Sequence, residues 1–213
     1  MSAAAAIAED KVTPPVRRRA ERLAVAERRK QLLELGVKTV GARRYEEPWL
    51  EEVARTADIS KGLIYHYFDT KRGYYVEILR YIAQDLAQSW QESVSPLIAG
   101  SASADEVTTA GLNSYLDFAQ QYPAAFRTLM EAGGSIDPEV KQVEGFLRDE
   151  LITHITRFAG QDDLPELMKA GIRAWAAFVE QLSVEWLESK NINRDEVIKM
   201  ACAMMQSMVA SQR

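Results

Sequence analysis

The stretch EEVARTADISKGLIYHYFDTK, residues 51–71, decides the fold. Its apolar residues recur at helical spacing in two short blocks, and a turn is expected between them at Asp58. Ser60 is suited to cap the second block, because its hydroxyl can accept a hydrogen bond from a free backbone N–H one turn further on. Ile64 and Phe68, four residues apart, then share the inward face of that helix. The stretch predicts two short helices joined by a tight turn.

The outward side of the second helix carries side chains suited to nucleic acid. Lys61, Tyr65 and His66 lie on the face opposite the apolar one. This is the layout of a helix-turn-helix, whose second helix enters the major groove of DNA. The next helix, starting at Lys71, offers free backbone N–H groups that favour phosphate. The pattern therefore predicts a surface that reads DNA.

The same stretch resembles the DNA-binding motif of the TetR (tetracycline-repressor-like) family of bacterial transcriptional regulators. The likeness covers roughly residues 28–79. It implies an all-α chain with an N-terminal three-helix helix-turn-helix DNA-binding domain and a C-terminal helical ligand-binding and dimerisation domain. The matching residues are Val53, Ala54, Ala57, Ile59, Ser60, Gly62, Ile64, Tyr65, Tyr67, Phe68 and Lys71.

The resemblance also implies which residues meet DNA. Tyr67 and Lys71 would hold phosphates, while the outward side chains of the second helix would face the groove. A run of three arginines near the N-terminus could reach phosphates or a minor groove, although a solvated helix start explains it equally well. The expected DNA-binding residues are Arg17, Arg18, Arg19, Trp49, Ser60, Lys61, Gly62, Tyr65, His66, Tyr67 and Lys71.

Three positions depart from the family pattern. Asp58 stands where a turn glycine is usual, and Asp tolerates the left-handed backbone that such a turn needs. Pro48 and Trp49 replace a threonine pair, which removes a hydroxyl that could cap the helix or touch phosphate. Arg44 stands where a glycine commonly ends the preceding helix, so that helix end is expected to differ.

Charge is distributed unevenly along the 213 residues. The formal net charge of −5 would by itself argue against DNA binding. Residues 1–80, however, contain 16 basic and 12 acidic side chains, whereas the remainder contains 10 and 19. A basic end joined to an acidic body suits a protein that meets phosphate at one end, although chance asymmetry on a solvated surface gives the same count.

Few glycines and prolines and no alternating strand pattern favour an all-helical chain. We predict a flexible basic arm at residues 1–19, the helix-turn-helix domain at 20–72, and the ligand-binding and dimerisation domain at 73–213. A first helix is expected from Ala20 to about Gly41. The later helices are expected at residues 71 to about 95, 104–121, 124–132, 138–159, 164–189 and 194–210.

Signals for catalysis, metal binding and membrane insertion are weak. The single Cys202 excludes an intrachain disulfide and suits a reducing cytoplasm. His66 and His154 show no metal-ligand spacing. No apolar run approaches the roughly 18 residues that cross a membrane. We therefore expect a cytoplasmic protein that is not an enzyme and needs no metal or cofactor.

Aromatic and methionine side chains on the inward faces of several body helices form the second informative feature. Taken alone, they are better explained as ordinary core packing than as a cavity. The resemblance reverses this preference, because family members bind an inducer between the helices of the body. The expected ligand-binding residues are Tyr115, Phe118, Phe126, Met130, Phe146, Trp175 and Phe178.

The resemblance implies a homodimeric, ligand-responsive repressor. The last two helices carry more apolar surface than one inward stripe needs, and such helices pair across a twofold axis in the family. The surroundings of Tyr115, Phe118, Phe126 and Trp186 resemble those of members that respond to fatty acyl thioesters, so the expected effector is an apolar or acyl-type small molecule. Two rivals remain: a helical enzyme, and an interaction module with an apolar cavity and no DNA role.

Overall fold

The structure of the chain is a computed structural model, which describes residues 15–40, 48–100, 102–132, 137–158, 163–189 and 191–210. These residues form helices and no strand, so the predicted all-α fold class is confirmed. In chain order the helices are α1 (Pro15–Val40), α2 (Trp49–Thr56), α3 (Lys61–Phe68), α4 (Lys71–Ala99), α5 (Ala104–Gln121), α6 (Pro123–Ala132), α7 (Pro138–Phe158), α8 (Glu166–Glu188) and α9 (Arg194–Ala210).

The start of α1 differs from the prediction. The helix begins at Pro15, five residues before the expected start at Ala20, and Pro suits a first helical turn because its φ is already helical. The backbone of residues 17–19 is therefore part of α1 rather than of a separate arm. Residues 1–14 and Arg44, for which we also made predictions, lie outside the described residues.

The end of α4 also differs, since the helix continues through Pro96 to Ala99. We expected it to stop near Ser95, because Pro lacks the N–H that helix continuation needs. Less than one turn follows Pro96, and Gly100 closes the end by donating its N–H toward the carbonyls of Pro96 and Leu97, at 3.0 and 3.2 Å. Pro96 is thus accommodated in the last turn, and the other body helices begin and end within two residues of their predicted bounds.

The turn between α2 and α3 has the predicted chemistry. Asp58 takes a φ of 53°, which confirms the left-handed conformation expected where a glycine is usual. The Ser60 hydroxyl accepts from the Leu63 N–H at 3.3 Å, and the Ile59 N–H donates to the Ala54 carbonyl at 3.0 Å. These bonds close one helix and open the next over four residues, so the two helices meet at a fixed angle.

Tyr74, in the first turns of α4, joins the three N-terminal helices to the rest of the chain. Its ring stacks on Phe68 of α3 with centroids 4.3 Å apart and tilts against Trp49 of α2 at 5.6 Å. Its hydroxyl donates to the Leu32 carbonyl of α1. Burial raises the pKa of Tyr74, which keeps the phenol protonated as a donor. We call α1, α2, α3 and the first turn of α4 the reader domain.

α4 is the helix on which both parts of the chain are built. It packs against α1 and α3 of the N-terminal part and against α5, α6 and α7 of the remainder. Its 29 residues extend about 43 Å at 1.5 Å per residue. The remaining helices α8 and α9 pack on each other and reach α4 through α5 and α7. One continuous helix therefore runs from the reader domain into the remaining helices. We call the rest of α4 together with α5 to α9 the body.

Gly73, in the first turn of α4, is required by a close approach. A Cβ there would lie 2.7 Å from the Phe68 carbonyl oxygen and 3.2 Å from the Thr70 hydroxyl, which caps α4 by accepting the Gly73 N–H at 2.9 Å. A Cβ on Gly145 of α7 would meet nothing within 4 Å. Both glycines are helical, but only Gly73 lacks room for a side chain, so the two positions form a matched pair for comparison.

Gly73→Ala should lower the free energy of unfolding by about 1–3 kcal/mol, because overpacking against a backbone carbonyl exceeds the helix-propensity gain. Gly145→Ala should raise it by up to about 1 kcal/mol, since only the propensity gain applies. Urea denaturation of both variants measures the difference. Equal effects at the two positions would show that the turn between α3 and α4 is not tightly packed.

Candidate functional site

The outward face of α3 presents an exposed set of polar and aromatic side chains. Lys61, Gly62, Tyr65 and His66 are exposed, and we call these four residues the reading surface. Tyr65 is 40% exposed, whereas Ile64 beside it is fully buried. The residues from 61 to 66 therefore lie where sequence periodicity predicted them, with a large aromatic side chain directed away from the core.

Lys61 is held by a carboxylate in the free protein. Its Nζ lies 2.9 Å from Glu51 Oε1 of α2, with both side chains about half exposed. The hydrogen bond from Lys61 lowers the pKa of Glu51, and the same bond raises the pKa of Lys61. A phosphate or base that Lys61 binds therefore competes with Glu51 for the ammonium group or shares it, a pairing that sequence spacing did not indicate.

Trp49 requires a correction, because it does not lie at the surface. The side chain is 0% exposed and belongs to the hydrophobic core, so a direct DNA contact by Trp49 is excluded. The indole instead supports a neighbour, since Lys71 Nζ lies 5.4 Å from its ring centroid in a cation–π arrangement. An apolar residue in the first turn of α2 packs inward more favourably than it faces water.

The remaining predicted DNA-binding residues have definite places. Ser60 uses its hydroxyl to cap α3, and Tyr67 is half-buried with its ring edge-on to His66 at 5.4 Å. Lys71 starts α4, directly after the capping residue Thr70. Arg17, Arg18 and Arg19 belong to α1 by backbone, while their side chains lie outside the described residues. Their contact with DNA stays a prediction.

A cavity of about 560 Å³ lies in the body, within the roughly 300–1,000 Å³ range of small-molecule sites. α4, α5, α7 and α8 form most of its wall, with additional residues from α6 and α9. Three predicted ligand-binding residues, Tyr115, Met130 and Trp175, line it. The Tyr115 hydroxyl donates to the Met130 sulfur at 3.5 Å, and the Trp175 indole donates to the Ala201 carbonyl at 2.8 Å.

Four predicted ligand-binding residues lie elsewhere and are corrected. Phe118 and Phe126 are buried in the core beneath α4, where Phe126 meets the Tyr115 ring edge-on at 5.3 Å. Phe178 packs in a second core cluster formed by α5, α8 and α9. Phe146 is 38% exposed. Helical periodicity identifies an inward face, but a helix touches several neighbours, so only part of that face borders the cavity.

The cavity wall also carries polar residues for which no ligand-binding role was predicted. Arg148 and His154 of α7 share a face with the lining residues Leu151 and Ile155. Arg148 Nη2 lies 3.3 Å from Glu180 Oε2 of α8, which joins two walls of the cavity. The signal for these residues was available in the helical register, because positions three, four and seven apart share a face.

α7 is tied to the reader end of α4 by ion pairs. Arg72 makes two bonds of 2.7 Å to the Asp137 carboxylate and one of 2.8 Å to Glu139. Arg80, two turns further along α4, lies 3.8 Å from Glu139. These hydrogen bonds raise the pKa of Arg72 and lower the pKa of Asp137. A helix that lines the cavity thus contacts the residue that follows Lys71.

The described part of the chain carries neither a membrane-spanning helix nor a metal-binding cluster. No helix there is long and apolar enough to cross a membrane. No group of three or more His, Cys, Asp or Glu side chains is placed to hold a metal ion among the residues described.

Comparison with known proteins agrees with the motif. Residues 32–78 match the family model for bacterial regulatory proteins of the tetR family. The chain is 28% identical over 130 residues to the HTH-type transcriptional activator FasR of Mycolicibacterium smegmatis, covering 58% of this chain and 54% of that protein. It is 27% identical over 103 residues to the HTH-type transcriptional regulator BetI of Cronobacter sakazakii, covering 43% and 51%. The chain thus spans about half the length of each relative.

Solved structures share the fold. A tetR-family transcriptional regulator from Streptomyces coelicolor superposes with a TM-score of 0.72 at 23% identity, covering 87% of this chain and 83% of that one. A regulator of Syntrophomonas wolfei gives 0.66 at 17% identity, covering 86% and 96%. The helix-turn-helix and the family match together define residues 32–78 as a region like the DNA-binding part of bacterial regulatory proteins of the tetR family.

The Glu51–Lys61 pair generates a test of the reading surface. Glu51→Gln should raise affinity for a random duplex several-fold and steepen the salt dependence by about one, because Lys61 becomes available to phosphate and an acidic group is removed. Glu92→Gln is the matched control, since it alters an exposed carboxylate on α4 about 30 Å from Lys71. Fluorescence anisotropy over a range of salt measures both. An unchanged affinity and slope in Glu51→Gln would show that the pair with Glu51 does not limit how Lys61 acts on DNA.

Proposed function

We propose that the chain is a homodimeric, cytoplasmic repressor whose affinity for its operator is changed by an apolar small molecule bound in the body. The observation that carries this proposal is the continuity of α4. Lys71 starts the helix beside the reading surface, while Leu86 and Trp90 of the same helix line the cavity. A ligand that shifts the body end of a stiff helix must also shift the reader end.

The proposed contacts divide by role. Lys61, Tyr65 and His66 read base edges in the major groove, and Tyr67 and Lys71 hold phosphates on either side. The free N–H groups at the start of α4 add to phosphate binding. We propose repression because a dimer bound across a promoter excludes polymerase without further contacts. FasR, by contrast, is a transcriptional activator, so repression rather than activation is part of what we propose for this chain.

The proposed dimer surface lies on the outside of α8 and α9. Leu167 of α8 is 70% exposed, and Met200 and Met204 of α9 are 53% and 44% exposed. Met200 and Met204 are four residues apart, so they share one outward face. Val197 and Met205, by contrast, are buried within the protomer. Pairing these faces across a twofold axis places two reader domains at two half-sites.

Met204→Glu should dissociate the dimer, because an unpaired charge buried twice across a twofold axis costs several kcal/mol. Phe146→Glu is the matched control, since Phe146 is an exposed apolar residue on α7, outside the proposed surface. Analytical ultracentrifugation at micromolar concentration distinguishes monomer from dimer. A wild-type protein that sediments as a monomer, or equal dissociation by both variants, would contradict this surface.

The ion pairs of Arg72 offer a route between the two sites. α7 lines the cavity through Leu151 and His154, and its first residues are bound to Arg72 at the reader end of α4. A ligand that moves α7 would therefore pull on α4 beside Lys71. Coupling of this kind needs a ligand that favours one arrangement over the other.

Arg72→Gln should reduce the ligand-induced change in DNA affinity at least several-fold while leaving ligand binding unchanged, because the link between α7 and α4 is lost. The ligand would be the compound giving the largest thermal shift from a panel of fatty alcohols, fatty acids, acyl thioesters and aromatic compounds. DNA affinity is measured with and without it. The ratio of the two affinities cancels any direct DNA contact that Arg72 makes.

Arg127→Gln provides the control for that experiment. Arg127 of α6 pairs with Glu188 of α8 at 3.8 Å and does not join α7 to α4. Its removal should leave the affinity ratio at the wild-type value. Arg72→Gln with a wild-type ratio would contradict the proposed route, and a panel in which no compound shifts both stability and DNA affinity would contradict the ligand-responsive function itself.

A further inference from the structure

The cavity wall has a polar corner around His154, which differs from the rest of the lining. His154 is 5% exposed, and its ring meets Trp90 of α4 edge-on with centroids 4.6 Å apart. Its Nδ1 is buried and has no hydrogen-bond partner among the described residues. A buried polar atom without a hydrogen-bond partner costs free energy. A ligand group that hydrogen-bonds to Nδ1 removes this cost and thereby gains binding free energy.

The imidazole of His154 is neutral in this surrounding. Burial lowers the pKa of His154, Glu150 opposes that change, and Arg157 adds to it. Glu150 Oε2 lies 3.6 Å from Nε2, which favours the tautomer with its proton on Nε2. Nδ1 then carries a lone pair and calls for a hydrogen-bond donor from the ligand.

The charges of the wall narrow the ligand class further. The charged lining residues are Arg148, Glu150 and Glu180, so carboxylates outnumber guanidinium groups. Burial raises the pKa of the Tyr115 phenol, so it adds no charge. Arg148 is already bonded to Glu180 at 3.3 Å. An anionic ligand group would add a negative charge beside two carboxylates in a partly desolvated site, which is unfavourable. The other lining side chains are mostly apolar.

We propose that the cavity selects an elongated apolar molecule bearing an uncharged hydroxyl, which hydrogen-bonds to His154, over carboxylates of the same length. The inference rests on the proposed function, because it specifies the ligand of the same cavity. A hydroxyl both donates and accepts, so it satisfies the imidazole whichever nitrogen carries the proton. An ether can only accept, and a carboxylate accepts while bringing charge.

The test uses three probes of one chain length: 1-decanol, its methyl ether and decanoate at pH 7.5. Trp90 and Trp175 line the cavity, so tryptophan fluorescence reports its occupancy, with calorimetry as an independent measurement. The full-length protein should bind 1-decanol about tenfold more tightly than either other probe, which corresponds to one net hydrogen bond. Equal binding of the three probes, or a preference for decanoate, would overturn the inference.

Variants then test whether His154 is the residue that causes the preference for 1-decanol. His154→Phe keeps an aromatic ring against Trp90 and should reduce 1-decanol affinity to the level of the ether, whose own affinity stays unchanged. His154→Gln retains hydrogen-bonding groups and should keep a preference of at least threefold. Phe146→Leu, on the same helix but outside the cavity, should keep the full preference. A variant His154→Phe that folds and still prefers the alcohol tenfold would overturn the role of His154.

Different results would overturn the selection for a hydroxyl and the proposed ligand-responsive function. Probes that bind without preference overturn the hydroxyl selection but leave an apolar ligand site intact. Binding of none of the three, by fluorescence and by calorimetry, overturns both. If His154→Phe does not fold, the comparison of probes on the wild-type protein and on His154→Gln decides the question.

Discussion

The structure depends on the burial of Tyr74 among the three reader helices. Its ring lies against Phe68 of α3 and Trp49 of α2, and its hydroxyl bonds to the Leu32 carbonyl of α1. Reader helices of eight residues are too short to be stable alone in water, where about 12–15 residues are marginal even for good helix formers. Their orientation therefore derives from packing on α4. Tyr74 of α4 provides this packing because its side chain contacts all three reader helices.

The consequence of this packing is that the reader domain follows the first turns of α4. Gly73 allows the chain to turn closely past Phe68, and Thr70 caps the helix at the same point. Twelve or more residues further along α4, Leu86 and Trp90 line the cavity. α7 packs against the same helix, and the residues at its start contact Arg72. Reading surface, cavity and ion-pair link thus share one element, so a change in any of them has a direct mechanical path to the others.

The sequence predicted the reader domain better than the cavity, for physical reasons. Helix-turn-helix chemistry is local: Asp58, Ser60 and Ile64 act on neighbours within a few residues, and each lies as predicted. The predicted surface location of Trp49 was wrong. A tryptophan side chain suits both a surface contact and a core, and only tertiary packing determines which of the two it occupies. The cavity arises between helices distant in sequence, so helical register could indicate that Phe126 faces inward but not which neighbour it meets. The ion pairs of Arg72 with residues 137 and 139 cross 65 and 67 positions and have no local signal.

The most direct measurement of the central idea is the separation of the two reader domains within the proposed dimer. Cys202 is the single cysteine of the chain and can be replaced by serine, and Arg55→Cys on exposed α2 then carries a spin label in each protomer. Double electron–electron resonance gives the distance between labels with the cavity empty and with it filled by 1-decanol, with occupancy verified by tryptophan fluorescence. A shift of the distance distribution by several ångströms (on the order of one helical turn, about 5 Å) is the result predicted by coupling through α4. Identical distributions with a filled cavity would contradict it.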